Sequence, residues 1–163
     1  MLKKADFDFL ESKNDYFGDL IHRLDWNNST NFSRKWVKFL QPYLHKHLKN
    51  FANVLGYQDI RFINLWFQQY NQKGKHGWHI HGDNYTGVYY VKLSNKSAKT
   101  ELIIDAKEGD IVIFPSYIIH RAPTQKEKTN KIIISFNINF ELINPNLFKT
   151  IDNLKGKNTN EYI

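Results

Sequence analysis

The sequence predicts an α+β, mainly β domain in which helices precede an antiparallel barrel or sandwich. Three observations predict it. Apolar residues follow helical spacing before Gly56, and period-two alternation takes over from Ile60. Beyond that point several short strand patterns and turn signals follow one another closely, with no helical pattern between them.

The helical region has two segments. Phe17, Leu20, Ile21 and Leu24 follow helical spacing, as do Trp36, Phe39, Leu40, Tyr43, Leu44, Leu48, Phe51 and Leu55. Ser33 is the expected N-cap of the second helix and Gly56 its C′ residue, and Pro42 is expected to kink or split it. The aromatic stripe reads as a core face. From Arg61 to Tyr70 the pattern is that of a long strand, with the chain turning at Gly74. Further strands are expected at 86–93, 102–105, 110–114 and 131–140. Turn signals separate them at Ser94–Ser97, at Glu108-Gly109-Asp110 and between Ala122 and Asn130. A helical segment laid against such a sheet gives an α+β domain.

At 163 residues the chain is read as one domain, 1–163, with a helical N-terminal region over residues 1–57, a β core over 58–145 and a polar end over 146–163. There is no cysteine, which excludes disulfides, thiolate metal sites and a cysteine nucleophile. The net charge of +7 comes from 23 Lys and Arg against 16 Asp and Glu. The lysines are scattered, and even the group Lys126, Lys128 and Lys131 is interrupted by Glu127, so a solvated basic surface is expected rather than a nucleic-acid interface. The first residues lack a signal peptide's apolar core and no run reaches membrane-spanning length. A cytoplasmic protein with no membrane partner is expected, in the host cytoplasm if the chain is viral.

The chemistry is concentrated in Trp78-His79-Ile80-His81-Gly82-Asp83. Residues two apart on a strand share a face, so His79, His81 and Asp83 can aim at one point. A second element, Gly109 to His120, combines a tight turn, an apolar strand, a proline-bounded bend and a histidine after two isoleucines. Such a histidine can complete a metal site from across a barrel. Imidazole plus carboxylate with open positions on one side is the arrangement of non-haem Fe(II) oxygenases. Lys131 opens a strand eleven residues beyond His120, where a cation could pair with the far carboxylate of a metal-chelating dicarboxylate.

Together these residues resemble the 2-oxoglutarate- and Fe(II)-dependent oxygenase superfamily, and in particular its small bacterial and phage members. The resemblance runs through Trp78–His81, the Gly-Val-Tyr-Tyr of Gly87–Tyr90, the Gly-Asp-x-Val-x-Phe-Pro-Ser leading to His120, and the strand Lys131–Asn137. It covers roughly residues 60–140. It implies a double-stranded β-helix (jelly-roll, cupin-like) with N-terminal helices packed outside.

The resemblance also implies Fe(II), 2-oxoglutarate and O₂ as cofactor and cosubstrates, with oxidative decarboxylation coupled to hydroxylation of an unidentified substrate. The ligand set it implies is His81, Asp83 and His120. Prolyl-4-hydroxylase-like members of the superfamily tend to place a tyrosine nine residues before the first ligand histidine, and resemblance to them, through the spacing of Tyr70 to His79, implies instead His79, His81 and His120. Lys131 is the implied anchor of the cosubstrate carboxylate, with Tyr70, Tyr90 and Arg121 as further candidates for contact. The substrate is left open among a peptidyl side chain, a small molecule and a nucleobase. Two other readings stand beside this one: a non-catalytic metal-binding β-barrel, and a three-histidine cupin-type dioxygenase without 2-oxoglutarate.

Overall fold

The computed structural model describes residues 21–94, 97, 98, 100, 101, 105–126, 128, 131–147 and 149. The elements in chain order are β1 (Ile21–Leu24), a 3₁₀ turn (Trp26–Asn28), α1 (Lys35–Val54), β2 (Tyr57–Tyr70), β3 (His76–His79), β4 (Tyr85–Leu93), β5 (Ile111–Pro115), β6 (His120–Ala122) and β7 (Lys131–Ile143). A five-stranded sheet has the order β1-β2-β7-β4-β5, and β3 and β6 form a second, two-stranded sheet. Every pairing described, β1 with β2, β3 with β6, and β4 with both β5 and β7, is antiparallel. This is the double-stranded β-helix of a mainly β, α+β chain. No helix among the described residues is long and apolar enough to cross a membrane.

The described residues fall into two compact units, one within Met1–Phe39 and Phe62–Asn139, the other within Leu40–Arg61 and Phe140–Ile163. In the first, the inward residues Tyr70, Val88, Tyr90, Leu93, Ala106, Ala122 and Ile133 form a buried cluster, flanked by Ile21 and Val112. Asp25, almost fully buried, accepts a hydrogen bond from Phe67 N at 2.6 Å and pairs with Arg34, which also donates to the Leu65 carbonyl. The central stretch of β2 is thereby tied down by a satisfied buried ion pair. In the second unit Tyr57 and Phe51 pack on Phe140, and Asp59 pairs with His45.

Several local expectations need correction. The helix expected over Phe17–Leu24 is a strand where it is described, at Ile21–Leu24, and residues 1–20 lie outside the described residues. A register shift between Ile21 and Arg23 explains the misreading. A bulge adds one residue to a strand, so residues three apart come to share a face and imitate helical spacing. Ser33 is not the cap of α1: Arg34 O accepts from Lys38 N at 2.9 Å and holds that position. Pro42 does not split α1, because it lies on the exposed face, where solvent can reach the carbonyl it leaves unbonded. The aromatic stripe is only partly core, since Val37, Leu44, Leu48 and Ala52 take the buried face and Phe39 and Tyr43 are exposed. Gly56 does end the helix, with φ +85. The strands expected at 86–93, 110–114 and 131–140 are present as β4, β5 and β7. Of the strand expected at 102–105, residues 102–104 lie outside the described residues and Asp105 is not in a strand.

Gly87 in the Gly-Val-Tyr-Tyr motif has a packing reason. It faces Phe136 across the β4–β7 ladder, and a Cβ there would collide with that buried ring. Overpacking of this kind typically costs about 1–3 kcal/mol. Gly87→Ala is therefore expected to lower the urea midpoint at unchanged slope, by an amount corresponding to about 1–3 kcal/mol.

Candidate metal centre

The site is built where β3 meets β6. Their register pairs His79 with His120, and the two imidazole centroids lie 4.2 Å apart. His120 is 4% exposed, and Phe114 presents its ring edge-on to it at 4.7 Å. β3 ends at His79, so His81 arrives from the loop beyond it, its backbone N–H donating to Ser116 O at 2.9 Å. The His81 ring lies nearly parallel to His120 at 5.1 Å and is backed by Trp66 at 6.1 Å. The ligand atoms of His79, His81 and His120 all lie within 4.8 Å of one another.

The backbone sets the tautomers. His79 Nδ1 lies 2.8 Å from Gly77 O, and His120 Nδ1 lies 2.9 Å from Ile118 O. A carbonyl oxygen only accepts, so both rings carry their proton on Nδ1 and leave the Nε2 lone pair facing the site. Backbone carbonyls holding the far nitrogen are the usual outer partners of metal-bound imidazole. Burial, and then the neighbouring imidazoles, push His81 down to about 3. Burial likewise pushes His120 down to about 4 and lowers His79. All three are neutral at physiological pH, as a ligand must be.

The donor set fits a divalent transition metal. Metal–nitrogen bonds of about 2.1 Å at right angles would separate neighbouring nitrogens by roughly 3 Å. His81 Nε2 and His120 Nε2 are 3.3 Å apart. Three imidazoles suit Fe, Cu, Ni or Zn and leave other coordination positions open. Asp83 is not in the group. It lies beyond the end of β3, half-buried in the bend after His81, so the strand alternation that would have aimed it at the same point does not extend that far.

The three imidazoles stand in a cleft whose empty volume, open solvent included, is about 340 Å³. Trp66, Gln68 and Tyr70 of β2 line it, with Thr86, Val88, Ile133 and Ser135 on the neighbouring strands. Tyr70 Oη donates to Gln68 Oε1 at 2.9 Å. Lys131 does not line the cleft: its Nζ lies 5.1 Å from the centroid of the Tyr70 ring, fully buried and donating to Ala98 O at 3.0 Å. Burial pushes this lysine down to about 7. Tyr90 belongs to the buried cluster and does not line the cleft. Arg121 lines the cleft, pairs with Glu101 and lies 4.4 Å over the exposed Trp78 ring.

A fourth histidine, His76, also lines the cleft and stacks on His79 at 4.0 Å. The strand pattern conceals it, because three residues from His79 is the wrong parity for a regular strand. The register shift between His76 and His79 brings both to one face. Gln68 and Trp66 had a usable signal, since both share the strand parity of Tyr70.

The double-stranded β-helix thus gathers, in one cleft, three convergent neutral imidazoles that could hold a metal ion, with a buried lysine next to Tyr70 that does not itself line the cleft. Residues 92–137, which include His120 and Lys131, match the family described as "Putative 2OG-Fe(II) oxygenase". No match was found among curated proteins. Among solved structures, the chain is similar to an oxidoreductase of the 2OG-Fe(II) oxygenase family from Burkholderia pseudomallei, with 7% identity and TM-score 0.54. That alignment covers 66% of this chain and spans 61% of the Burkholderia chain. The chain is also similar to the viral collagen prolyl hydroxylase from Paramecium bursaria Chlorella virus-1 in its 2OG complex, with 16% identity, TM-score 0.54, and coverage of 84% and 91% of the two chains. At these identities the structural likeness establishes the fold. The resemblance to 2-oxoglutarate- and Fe(II)-dependent oxygenases thus rests on the motifs, on the family match over 92–137 and on the shared fold.

The geometry predicts one divalent metal per chain. In a calorimetric titration with Mn(II), His120→Ala is expected to abolish binding. His79→Ala should cost more affinity than Asp83→Ala, whose effect should stay within the roughly 10- to 100-fold of an outer-shell partner. The opposite order would return the carboxylate to the ligand set.

Proposed function

We propose that this protein is a 2-oxoglutarate-dependent non-haem Fe(II) oxygenase that hydroxylates a substrate not yet identified. The observation that carries the reading is the convergence of three neutral imidazoles in a cleft backed, behind Tyr70, by a buried lysine. The family match spanning both His120 and Lys131 supports it.

In this reading His79, His81 and His120 hold the iron. Bound iron supplies the O₂ chemistry that couples decarboxylation of 2-oxoglutarate, to succinate and CO₂, with hydroxylation of a C–H bond. The chain's own residues do the rest. Gly77 O and Ile118 O fix the orientation of two imidazoles through their Nδ1 protons. Lys131 meets the distal carboxylate of the cosubstrate. An ammonium has three donors, so its bond to Ala98 O leaves capacity for that carboxylate. Phe114, Val88 and Ile133 surround the site with apolar surface, which excludes water and strengthens the charge pairing. Arg121, already paired with Glu101 beside the exposed Trp78, is suited to contact substrate at the rim.

One observation favours a second reading. Among the described residues the histidine group gathers no carboxylate, which is the donor set of a three-histidine dioxygenase that uses no 2-oxoglutarate. Succinate formation separates the two. The Fe(II)-loaded protein is expected to convert 2-oxoglutarate slowly to succinate even without substrate, and His120→Ala to lose this. Absence of turnover, together with no charge-transfer band on adding 2-oxoglutarate anaerobically, would reject the proposal in favour of the three-histidine dioxygenase or a non-catalytic metal-binding barrel.

Lys131→Ala is expected to raise the 2-oxoglutarate dissociation constant about tenfold or more while leaving metal affinity unchanged, with Lys131→Arg retaining some of the binding. The pH dependence follows from the lysine's lowered value of about 7. Only the ammonium form anchors a carboxylate. Affinity should therefore be flat below pH 7 and fall above it until it reaches that of Lys131→Ala, binding in that range being accompanied by proton uptake. Calorimetry in buffers of different ionisation enthalpy reads both effects.

A further inference from the structure

We propose that His76 is a cosubstrate-binding residue, its imidazole standing beside the route from the three histidines to Lys131 and donating a hydrogen bond to the distal carboxylate of the dicarboxylate bound along it. The inference rests on the 2-oxoglutarate reading above and assigns that site a residue outside both the metal group and the lysine anchor.

Contacts at its two ends define the route. At the metal end Trp66 of β2 backs His81. At the other, Tyr70 of the same strand covers Lys131. Trp66, Gln68 and Tyr70 all line the cleft, and Lys131, which does not, lies next to the last of them. β3 contributes His76 and His79 to the same cleft. His79 pairs with His120 at the metal end, and His76 pairs with Ala122, which belongs to the same buried cluster as Tyr70. His76 therefore lies displaced from the metal group toward the lysine end. Its ring stacks on His79 at 4.0 Å and 19°, and Lys131 is near enough to act on it electrostatically.

Its absence from the convergent metal group separates His76 from the other three cleft histidines. A ring present only to buttress His79 needs no nitrogen, and phenylalanine would serve. A ring that contacts the cosubstrate needs its N–H. His76→Phe keeps the stacked ring and removes the donor, and His76→Gln supplies a donor without the ring.

The test is calorimetry on the full chain, with Mn(II) titrated first. The Mn(II)-loaded protein is then titrated with 2-oxoglutarate and, separately, with 2-oxobutyrate, which keeps the 2-oxo acid head and lacks the distal carboxylate. His76→Phe is expected to bind Mn(II) and 2-oxobutyrate like the parent and 2-oxoglutarate about tenfold or more weakly. His76→Gln should recover some of that loss. Unchanged 2-oxoglutarate affinity in His76→Phe would overturn the proposal, as would an equal loss for both 2-oxo acids. Weakened Mn(II) binding would overturn it by making His76 a member of the metal site. If the parent binds Mn(II) and no 2-oxoglutarate, the functional reading falls and His76's role with it. If the parent binds 2-oxoglutarate and His76→Phe does so equally, only the role of His76 falls.

Discussion

The pairing of His79 with His120 across the β3–β6 ladder is the constraint on which the site depends. The two residues are 41 positions apart in the chain, and only the minor sheet makes them neighbours. Cross-strand partners have Cβ atoms about 5 Å apart, which suits two imidazoles sharing one metal ion. Once that pair is set, little freedom remains. The loop after β3 has only to return His81 beside His120, which its backbone bond to Ser116 does.

Electrostatics gives the cleft its second character. It gathers four imidazoles and lies against a lysine, yet burial drives every one of them toward the neutral form. In water these groups would share the space as partly charged rings and an ammonium. In the cleft, desolvation makes charge costly until a partner of opposite sign arrives. Neutral lone pairs in the cleft suit a cation, and a lysine poised near neutrality next to Tyr70 suits an anion. In the proposed reading a dicarboxylate chelating the metal would answer both, and the two bindings would reinforce each other.

Irregularities in the strands matter as much as the regular ladder. Register shifts in β1 and β3 each bring residues three apart onto one face, Ile21 with Leu24 and His76 with His79. In β1 the effect is on packing alone. In β3 it adds an imidazole to the cleft that a regular strand would have turned outward. Gly87 is a related case, a missing side chain that leaves room for the Phe136 ring.

Much was legible in the sequence for a simple reason. Period-two burial, turn residues and a Gly at positive φ are local properties of the chain, and they located β2, β4, β5, β7 and the end of α1. His81 and His120 stood out because clustered imidazoles are chemically conspicuous, and Lys131 only through its place eleven residues beyond His120. What the sequence could not decide is which donors converge. Asp83 obeys the parity that makes it a ligand only if the strand continues to it, and β3 stops at His79. His76 breaks that parity and enters the cleft because of a register shift. The first outcome depends on where β6 stops pairing with β3 and the second on the register shift within that pairing, and both come from contacts between segments some forty residues apart, so only the tertiary structure shows them.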